Sequence, residues 1–457
     1  MLKYIPKKKF LLLSGDFFII ITTIILAVYL RTGRFVNVPV LYTGATWIAT
    51  FCYLLIFYIA DLYNLDCQIK TTQYLARVLG AVIVGAGLVA GAFYFLPSWK
   101  YGRGIWLIYN LLISIFIYLW RLFFEWVFKY KRRPKNLLII GLPPSEGELY
   151  ETLKKANDYR LIGFVGDEPE KREVKEASPQ VLGDGSQLQD LIETYGVEAL
   201  VLDVIDNDKN PELLRNILEC KMKGVLVYDM PTFYEELTGK VPAQHVSDAW
   251  LVYNPIAGFT RSNYLRAKRM FDIFLSFFGL LVSLPILLLT ALAIKFDSEG
   301  PILYKQDRVG LNERDFTLIK FRSMKADAEK GVGPVWAEKQ DPRVTRVGKI
   351  IRLFRIDEIP QLWNVLKGEM SLIGPRPERP EFVKKLKEQI PYYSLRHAVK
   401  PGATGWAQVN YQYGDSDDDA VEKLQYDLFY IRHLSPLLEL RIILKTIRVV
   451  LFGIGAR

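Results

Sequence analysis

Cysteine and histidine are scarce in this 457-residue sequence, which contains three of each. The cysteines Cys52, Cys67 and Cys220 lie far apart and form no CxxC pair, which argues against a disulfide framework and against a structural zinc site. Three histidines also supply little material for histidine-based metal chemistry. The composition therefore excludes disulfide-stapled and zinc-centred classes of protein.

The charge of the chain is unbalanced and unevenly placed. Lys and Arg number 59 against 49 Asp and Glu, which gives a formal net charge of +10. Such an excess suits contact with anionic lipid headgroups or phosphate-bearing substrates. The basic residues are spread along the edges of apolar segments and through an enzyme-like region, so nucleic acid is not expected as a partner.

Four long apolar stretches occupy residues 1–130 and predict a module of four transmembrane helices. Each is close to the ~20 residues that a bilayer demands. Basic residues cluster before the first stretch and after the fourth, so both ends of the module are expected in the cytoplasm. No small-residue cleavage site follows the first stretch, which favours a retained span over a signal peptide. The predicted spans are Leu11–Leu30, Tyr42–Leu62, Ala76–Leu96 and Ile105–Phe128.

Residues 131–255 alternate short apolar runs with polar helical stretches, which predicts a doubly wound, Rossmann-like α/β domain. The turn after the first strand reads Gly141-Leu-Pro-Pro-Ser rather than GxGxxG. Two prolines remove amide donors where a phosphate would be held, so we expect a regulatory or assembly role, including homodimerisation through this domain or the membrane module. The predicted strands are Asn136–Ile140, Leu161–Val165, Ala199–Val204 and Val225–Tyr228, and the predicted helices are Glu146–Ala156, Gly185–Glu193 and Pro211–Met222.

A fifth apolar stretch, Ile273–Ile294, is long enough to cross a bilayer, but two features argue against crossing. Basic residues flank it on both sides, so neither orientation satisfies the positive-inside preference. Pro285 lies within the run, where it removes a helix hydrogen bond and bends the axis. We therefore predict a re-entrant helix hairpin over residues 268–296 that anchors a monotopic, α-rich domain of residues 256–457.

Polar groups suited to chemistry are densest between Pro301 and Asn410. Asp357 and Glu358 are adjacent carboxylates, which on an α-helix project about 100° apart and can take different roles beside one phosphate. Arg352 lies five residues before Asp357, and prolines on both sides restrict Arg376. Together they suggest phosphoryl transfer assisted by a hard divalent cation. A solvated pair of salt bridges is the alternative that these residues alone leave open.

An ordered set of segments resembles those of the bacterial sugar transferases: Lys268-Arg269 with Asp272, KFRSM, the Asp357–Glu358 pair, LWNVLKGEMSLIGPRPE and KPGATGWAQVN. More narrowly, they are similar to the large monotopic phosphoglycosyl transferases, which move hexose 1-phosphate from a UDP-sugar to polyprenyl phosphate. The resemblance covers Tyr264 to the end of the chain. It implies that Asp357 is the nucleophile of a ping-pong reaction that releases UMP, and that Glu358 completes the catalytic dyad.

The same resemblance implies a site, a cofactor and a location. Mg²⁺ or Mn²⁺ would be held with the help of Asp357, and Pro285, Pro375 and Pro377 are expected to be structural. UDP-hexose, with glucose or galactose foremost, undecaprenyl phosphate and the lipid bilayer are the implied partners. The enzyme would start exopolysaccharide, capsule or O-antigen assembly at the cytoplasmic face of a bacterial inner membrane. The expected substrate-binding residues are Lys268, Arg269, Gln306, Arg308, Lys320, Arg322, Arg352 and Arg376.

Two rival functions are consistent with the domain order. A membrane-bound nucleotide-sugar dehydratase also joins four spans to a Rossmann domain, but it needs a glycine-rich NAD turn and a catalytic tyrosine late in that domain. A non-catalytic scaffold for polysaccharide assembly would have no need of Asp357, Glu358 and Arg376.

Overall fold

The computed structural model describes residues 7–33, 44–64, 69, 71–95, 102–129, 134–141, 153, 158–166, 181–202, 211–242, 262–325, 341–411 and 417–451. The chain divides into two compact units, Met1–Arg133 and Pro134–Arg457. The proline-containing turn after the first predicted strand, most of predicted helix Glu146–Ala156 and the predicted boundary at residues 255/256 lie outside the described residues.

The first unit contains four apolar helices, as predicted. They are α1 (Lys7–Thr32), α2 (Gly44–Ile59), α3 (Thr72–Phe95) and α4 (Arg103–Lys129). Helices α1, α3 and α4 have 24 to 27 residues, or roughly 36–40 Å at 1.5 Å per residue, which exceeds the ~30 Å hydrocarbon core. Helix α2 has 16 residues and is shorter than predicted, because the chain turns after Ile59.

A buried ion pair and close glycine contacts hold the helices of this unit together. The Arg121 guanidinium on α4 donates to both carboxylate oxygens of Asp16 on α1, at 2.8 and 2.6 Å. Both side chains are almost fully buried. A Cβ added at Gly15 would lie 2.3 Å from Trp120, so only glycine permits this approach of α1 and α4. Small residues that let backbones approach are typical of helix packing in membranes.

A five-stranded parallel sheet with three helices forms the middle of the chain. The elements are β1 (Lys135–Ile140), β2 (Tyr159–Val165), β3 (Val181–Gly183), α5 (Leu188–Tyr195), β4 (Ala199–Leu202), α6 (Pro211–Met222), β5 (Leu226–Asp229) and α7 (Met230–Thr238). The strand order is β3-β2-β1-β4-β5, which confirms the predicted parallel α/β fold. Strand β3 is only three residues long and was not predicted. Both faces of the sheet are covered, because α7 packs on one and α5 and α6 pack on the other.

The C-terminal region begins with a 36-residue apolar helix, α8 (Ser262–Asp297). This helix continues through Pro285, so the predicted hairpin does not appear as a break in secondary structure. The region that follows is rich in short helices, as expected, but it also contains two small sheets that were not predicted. The antiparallel pair is β6 (Leu303–Val309) with β7 (Asp315–Phe321), and the parallel pair is β8 (Ser371–Ile373) with β9 (Gly402–Thr404).

The remaining helices surround a core that includes the buried Trp406, Phe429 and Tyr430. They are α9 (Arg346–Leu353), α10 (Gln361–Lys367), α11 (Pro380–Gln389), α12 (Trp406–Asn410), α13 (Asp417–Arg432) and α14 (Pro436–Leu451), with single-turn 3₁₀ helices at Leu311–Glu313 and Ile356–Glu358 and a two-turn 3₁₀ helix at Tyr393–Ala398.

Helix α7 of the middle domain packs directly onto this C-terminal region. The Trp406 indole N–H donates to the Gly239 carbonyl at 2.9 Å, and Arg432 donates to Glu235 at 2.7 Å. His433 also contacts the Glu235 carboxylate, which is 2% exposed and so depends on these partners. The middle domain is therefore joined to the C-terminal region by a polar interface and not by a linker alone.

Candidate active site

Asp357 and Glu358 lie on a 3₁₀ turn between α9 and α10, not on an α-helix as the sequence suggested. The turn spans Ile356–Glu358 and follows Arg355, whose φ of 53° lies in the left-handed region. A non-glycine residue held there costs of order 1–3 kcal/mol and is found disproportionately at functional sites. Three residues per turn places adjacent side chains about 120° apart, so the two carboxylates still point in different directions.

Glu358 is held by two arginines. Arg376 donates to the Glu358 Oε1 atom at 3.0 Å, and the Arg355 guanidinium lies 3.5 Å from Oε2. Burial acts to raise the pKa of Glu358, but the Arg376 and Arg355 charges outweigh it and the net shift is downward. Glu358 is therefore ionised throughout the neutral range.

Asp357 is buried, with 8% of its surface exposed, and its pKa is shifted the other way. Burial and then the neighbouring Glu358 carboxylate raise the pKa of Asp357 to about 6, although Lys320, Arg352 and Arg376 act to lower it. Opposite shifts in two adjacent carboxyl groups are typical of sites where one group reacts and the other assists.

Three predicted substrate-binding residues surround Asp357 closely enough to act on its charge: Lys320, Arg352 and Arg376. Burial, and then Arg308, lower the pKa of Lys320 to about 8, so its ammonium is a poorly solvated cation. Its Nζ atom lies 5.3 Å from the centre of the Tyr304 ring. A half-buried set of cations beside two carboxylates can bind a diphosphate and stabilise charge that develops on it.

The Pro375–Glu378 segment, which carries Arg376, is tethered through four consecutive carbonyl groups. Pro375 O accepts from the Gly402 N–H at 2.9 Å, and Glu378 O accepts from the Val309 N–H at 2.9 Å. Pro377 O accepts from Arg308 at 2.9 Å and Arg376 O accepts from Arg396 at 3.0 Å. Pro375 and Pro377 are buried, in keeping with their predicted structural role. The backbone of Arg376 is therefore fixed from several directions.

Three other predicted substrate-binding residues have contacts that hold the protein together. Arg269 donates to the Leu366 carbonyl at 2.7 Å, near the C-terminal end of α10. Arg322 donates to the Ser298 and Glu299 carbonyls at 2.8 Å, just after α8. Lys268 pairs with Glu439 at 2.6 Å. None of these contacts involves the Asp357–Glu358 pair, so the structure accounts for them as supports of α8 and α10.

Gln306 and Arg308 form part of the frame around Arg376. Arg308 donates to the Gln306 side-chain oxygen at 2.6 Å as well as to Pro377 O, and it lies 3.7 Å from the Glu378 carboxylate. Burial lowers the pKa of Arg308 to about 10. Their role in substrate binding stays a prediction, whereas their contact with the arginine-bearing segment is a feature of the fold.

Sequence reasoning missed Asn364, which fixes α10, the helix that follows the Asp357–Glu358 turn, to the β6–β7 hairpin. Its fully buried amide donates to the Thr317 carbonyl at 2.8 Å and accepts from the Ile319 N–H at 3.1 Å. It also donates to Glu369 at 2.7 Å. Its place in the LWN motif was visible, but its partners lie 45 and 47 positions away in the sequence.

Among the described residues, the structure contains no group of three or more His, Cys, Asp or Glu side chains that could hold a metal ion. The site itself contains two carboxylates, those of Asp357 and Glu358. Such a pair suits a cation that binds one or two protein oxygens and completes its coordination shell with substrate phosphates. Mg²⁺ is typically bound in that way.

The chain belongs to the bacterial sugar transferase family, whose model matches residues 263–453. A second family model, described as a CoA-binding domain, matches residues 58–214. The chain is 53% identical over 135 residues to the putative undecaprenyl-phosphate N-acetylgalactosaminyl 1-phosphate transferase of Bacillus subtilis, an alignment covering 30% of this chain and 75% of that relative.

Two longer alignments extend the comparison. The UDP-N-acetylgalactosamine-undecaprenyl-phosphate N-acetylgalactosaminephosphotransferase of Aeromonas hydrophila is 43% identical over 263 residues, which is 57% of this chain and 60% of that relative. The undecaprenyl-phosphate glucose phosphotransferase of Komagataeibacter xylinus is 46% identical over 243 residues, or 52% and 46% of the two chains. The chain thus spans about half the length of these relatives.

Proposed function

We propose that this protein transfers hexose 1-phosphate from a UDP-hexose to undecaprenyl phosphate and releases UMP. The observation that carries the proposal is the buried Asp357 beside an ionised Glu358 that is paired with Arg376. The relatives are named for glucose and for N-acetylgalactosamine transfer, and all of the names quoted above include undecaprenyl phosphate. The family match places these residues within the matched segment.

The chemistry would proceed in two displacements at phosphorus. A carboxylate oxygen of Asp357 attacks the sugar-bearing phosphate of the donor, and the bond from that phosphorus to the oxygen of UMP breaks. UMP leaves with the bonding electrons, and an aspartyl phosphosugar remains. An oxygen of undecaprenyl phosphate then attacks the same phosphorus, which restores the Asp357 carboxylate and yields the lipid diphosphosugar. No other reactant is required.

Each neighbouring residue has a place in this scheme. Arg376 and Lys320 would bind the donor diphosphate and neutralise charge as UMP departs, and Arg352 would flank the same phosphates. Glu358 would orient Arg376 through the 3.0 Å contact and raise the proton affinity of Asp357. Because Asp357 has a pKa of about 6, its reactive carboxylate form predominates above that pH.

We further propose that Mg²⁺ or Mn²⁺ joins the site with the donor. Asp357 or Glu358 would supply a protein oxygen, and the donor phosphates would supply others. When bound, the cation would offset the negative charge of the diphosphate and make it a better electrophile.

Helix α8 would place this site at a membrane, and it is held against the catalytic region at two points. In the first third of the helix, Asp272 accepts hydrogen bonds from the Ser371 hydroxyl at 2.8 Å and the Leu372 N–H at 3.2 Å. At its last residue, Asp297 accepts from the Val347 N–H at 3.0 Å. Twenty-five positions separate Asp272 from Asp297, or about 37 Å of helix.

Contacts between these anchors argue that α8 does not cross the bilayer. Leu287 and Ala291 pack against the buried Ile294 and Phe321. The longest interval between these contacts, from Asp272 to Leu287, is 15 positions. A helix that crosses the bilayer needs roughly 20 consecutive residues in hydrocarbon. The contacts with the C-terminal region leave no interval of that length on α8, because this polar region would have to enter the hydrocarbon with the helix. We therefore propose that α8 enters and leaves the membrane by the same face, as the flanking charges predicted.

Exposed apolar side chains beside the dyad fit the same placement. Helix α9 and the residues around the 3₁₀ turn present Ile350, Leu353, Phe354 and Trp363 with about half of each side chain exposed. Exposed apolar groups interleaved with basic residues are typical of an interfacial segment. UDP-sugars are cytoplasmic, so the face concerned would be the cytoplasmic face of a bacterial inner membrane. Homodimerisation stays a prediction.

The test is UMP release by the purified full-length protein, supplied with undecaprenyl phosphate, Mg²⁺ and a panel of UDP-sugars. The panel comprises UDP-glucose, UDP-galactose and UDP-N-acetylgalactosamine. We expect UMP with at least one donor, and none from Asp357→Asn, which lacks the attacking oxygen. A nucleotide-sugar dehydratase would instead eliminate water from the sugar and release no UMP, and a scaffold would do neither. Full activity in Asp357→Asn would refute the covalent route.

A further inference from the structure

A buried ion pair between Arg396 and Asp427 lies against the Pro375–Glu378 segment and has no part in the chemistry described so far. Arg396 belongs to the 3₁₀ helix Tyr393–Ala398 and Asp427 belongs to α13, and they are 5% and 1% exposed. Their Nη2 and Oδ2 atoms are 2.8 Å apart. Desolvation of two charges offsets much of their attraction, so such a pair contributes little net stability.

Arg396 has two further partners, and one of them is the backbone of Arg376. The same Nη2 atom donates to the Arg376 carbonyl at 3.0 Å, and Nη1 donates to the Tyr393 hydroxyl at 2.5 Å. Burial acts against the charge on Arg396, but Tyr393 and Asp427 outweigh it and raise its pKa. Arg396 is therefore a permanent cation. Its guanidinium is oriented by the Asp427 carboxylate and the Tyr393 hydroxyl, and it donates a hydrogen bond to the backbone of Arg376, the residue that pairs with Glu358.

We propose that Arg396 and Asp427 are positioning residues that fix the direction of the Arg376 guanidinium toward Glu358 and the substrate phosphates. This inference rests on the proposed function only in assigning a phosphate ligand to Arg376. Neither residue touches the reacting atoms, and each acts through the Arg376 carbonyl.

The local chemistry explains why a carbonyl contact would control this side chain. Pro375 and Pro377 have no N–H, so the segment has few amide donors with which to anchor itself. The Arg376 side chain is 34% exposed and reaches Glu358 at 3.0 Å. The place from which it projects is set by its own backbone, and the Arg396 guanidinium holds that backbone at Arg376 itself. A displacement of about 1 Å in a positioned catalytic group can cost roughly 100-fold in rate.

The test compares Arg396→Lys with a matched control, Arg432→Lys, in the full-length protein. Arg432 is also a shielded arginine with a carboxylate partner, but that partner is Glu235 on the middle domain. Lysine keeps the charge and loses the planar fork that holds several acceptors at once. We expect kcat/KM for UMP release to fall about 100-fold in Arg396→Lys, mostly through kcat, and to change little in Arg432→Lys.

The separate values of kcat and KM distinguish positioning from general damage. The Arg376 side chain is still present in Arg396→Lys, so donor binding should be largely kept, and kcat should fall while KM changes little. In Arg432→Lys both kcat and KM should stay close to the wild-type values. Equal losses in both variants, or a loss in Arg396→Lys that lies in KM alone, would overturn the proposal.

A second readout does not depend on activity. The Val309 and Gly402 amides donate to the segment at Glu378 O and Pro375 O. Their hydrogen exchange should be faster in Asp427→Asn than in the wild type, and unchanged in Arg432→Lys. Unchanged exchange in Asp427→Asn overturns the positioning role even if UMP release confirms the proposed function. A wild-type protein that releases no UMP refutes the proposed function, and the exchange rates still decide the positioning role.

Discussion

Replacing Glu358 with Gln tests the division of roles within the carboxylate pair. Glutamine keeps the size and one acceptor oxygen of Glu358 but removes its charge. Arg376 and Arg355 then lose a charged partner, and Asp357 loses the like charge that, after burial, most raises its pKa. The variant should therefore be slow, and its remaining activity should persist to lower pH than that of the wild type.

The size of each effect follows from the geometry. Loss of an assisting acid–base or orienting group typically costs 10²–10⁴-fold, or about 2.7–5.4 kcal/mol of transition-state stabilisation. The cost in folding should be smaller. Glu358 and Arg376 have side chains 18% and 34% exposed, and partly exposed ion pairs contribute about 1 kcal/mol or less. In a large unit this corresponds to a fall in Tm of roughly 2–4 °C.

Three measurements check the Glu358→Gln prediction together: UMP release from pH 5 to 9, the Tm, and the intact mass after mixing with donor alone. We expect a pH profile whose acid limb lies below that of the wild type, a nearly unchanged Tm, and a mass increase from trapped sugar phosphate. An acid limb shifted to higher pH would refute the electrostatic reasoning. Wild-type rates at every pH would show that Glu358 assists neither step.

The remaining predictions concern the cation, the domain interface and α8. Chelation with EDTA should stop UMP release and added Mg²⁺ should restore it, whereas turnover in EDTA would contradict the proposed cation. A chain starting at Pro134 should have a higher Tm than one starting at Ser262, because the latter exposes the surface that α7 covers. Both should retain turnover, and equal Tm values would show that the α7 interface adds nothing. In a background without native cysteines, Asn263→Cys and Glu299→Cys, at the two ends of α8, should both label from the cytoplasmic side. Labelling from opposite sides would contradict the one-face arrangement.

Local pattern in the sequence was enough for the parts of the fold that depend on hydrophobicity alone. The apolar helices and the strands at Lys135–Ile140 and Ala199–Leu202 were predicted because long or fully apolar runs have few other stable arrangements. Strand β3 escaped detection because three residues carry no periodicity. The β6–β7 hairpin is charged along much of its length, so its pairing could not be read from composition.

The role of Asp357 and Glu358 as a catalytic dyad stays a prediction. The family was evident before the structure, since Asp357, Glu358 and Arg376 lie in ordered motifs. The contacts that the nearby arginine and lysine side chains make were not evident from the sequence. Arg269, Arg322 and Lys268 are predicted from the sequence as phosphate ligands, and the structure adds that their donors contact carbonyls and a carboxylate of the protein. A guanidinium binds a carbonyl or a phosphate with the same N–H groups, and only the three-dimensional neighbours decide between them.

Contacts between residues that are distant in the chain could not be predicted from the sequence and became visible only in the folded protein. Motif and hydropathy predicted apolar helices, a parallel sheet and an adjacent carboxylate pair, because these depend on residues close together in the chain. The Arg396–Asp427 pair joins residues 31 positions apart, and Asp16–Arg121 joins residues 105 positions apart. No local pattern predicts such pairs, since the two partners come into contact only once the chain has folded.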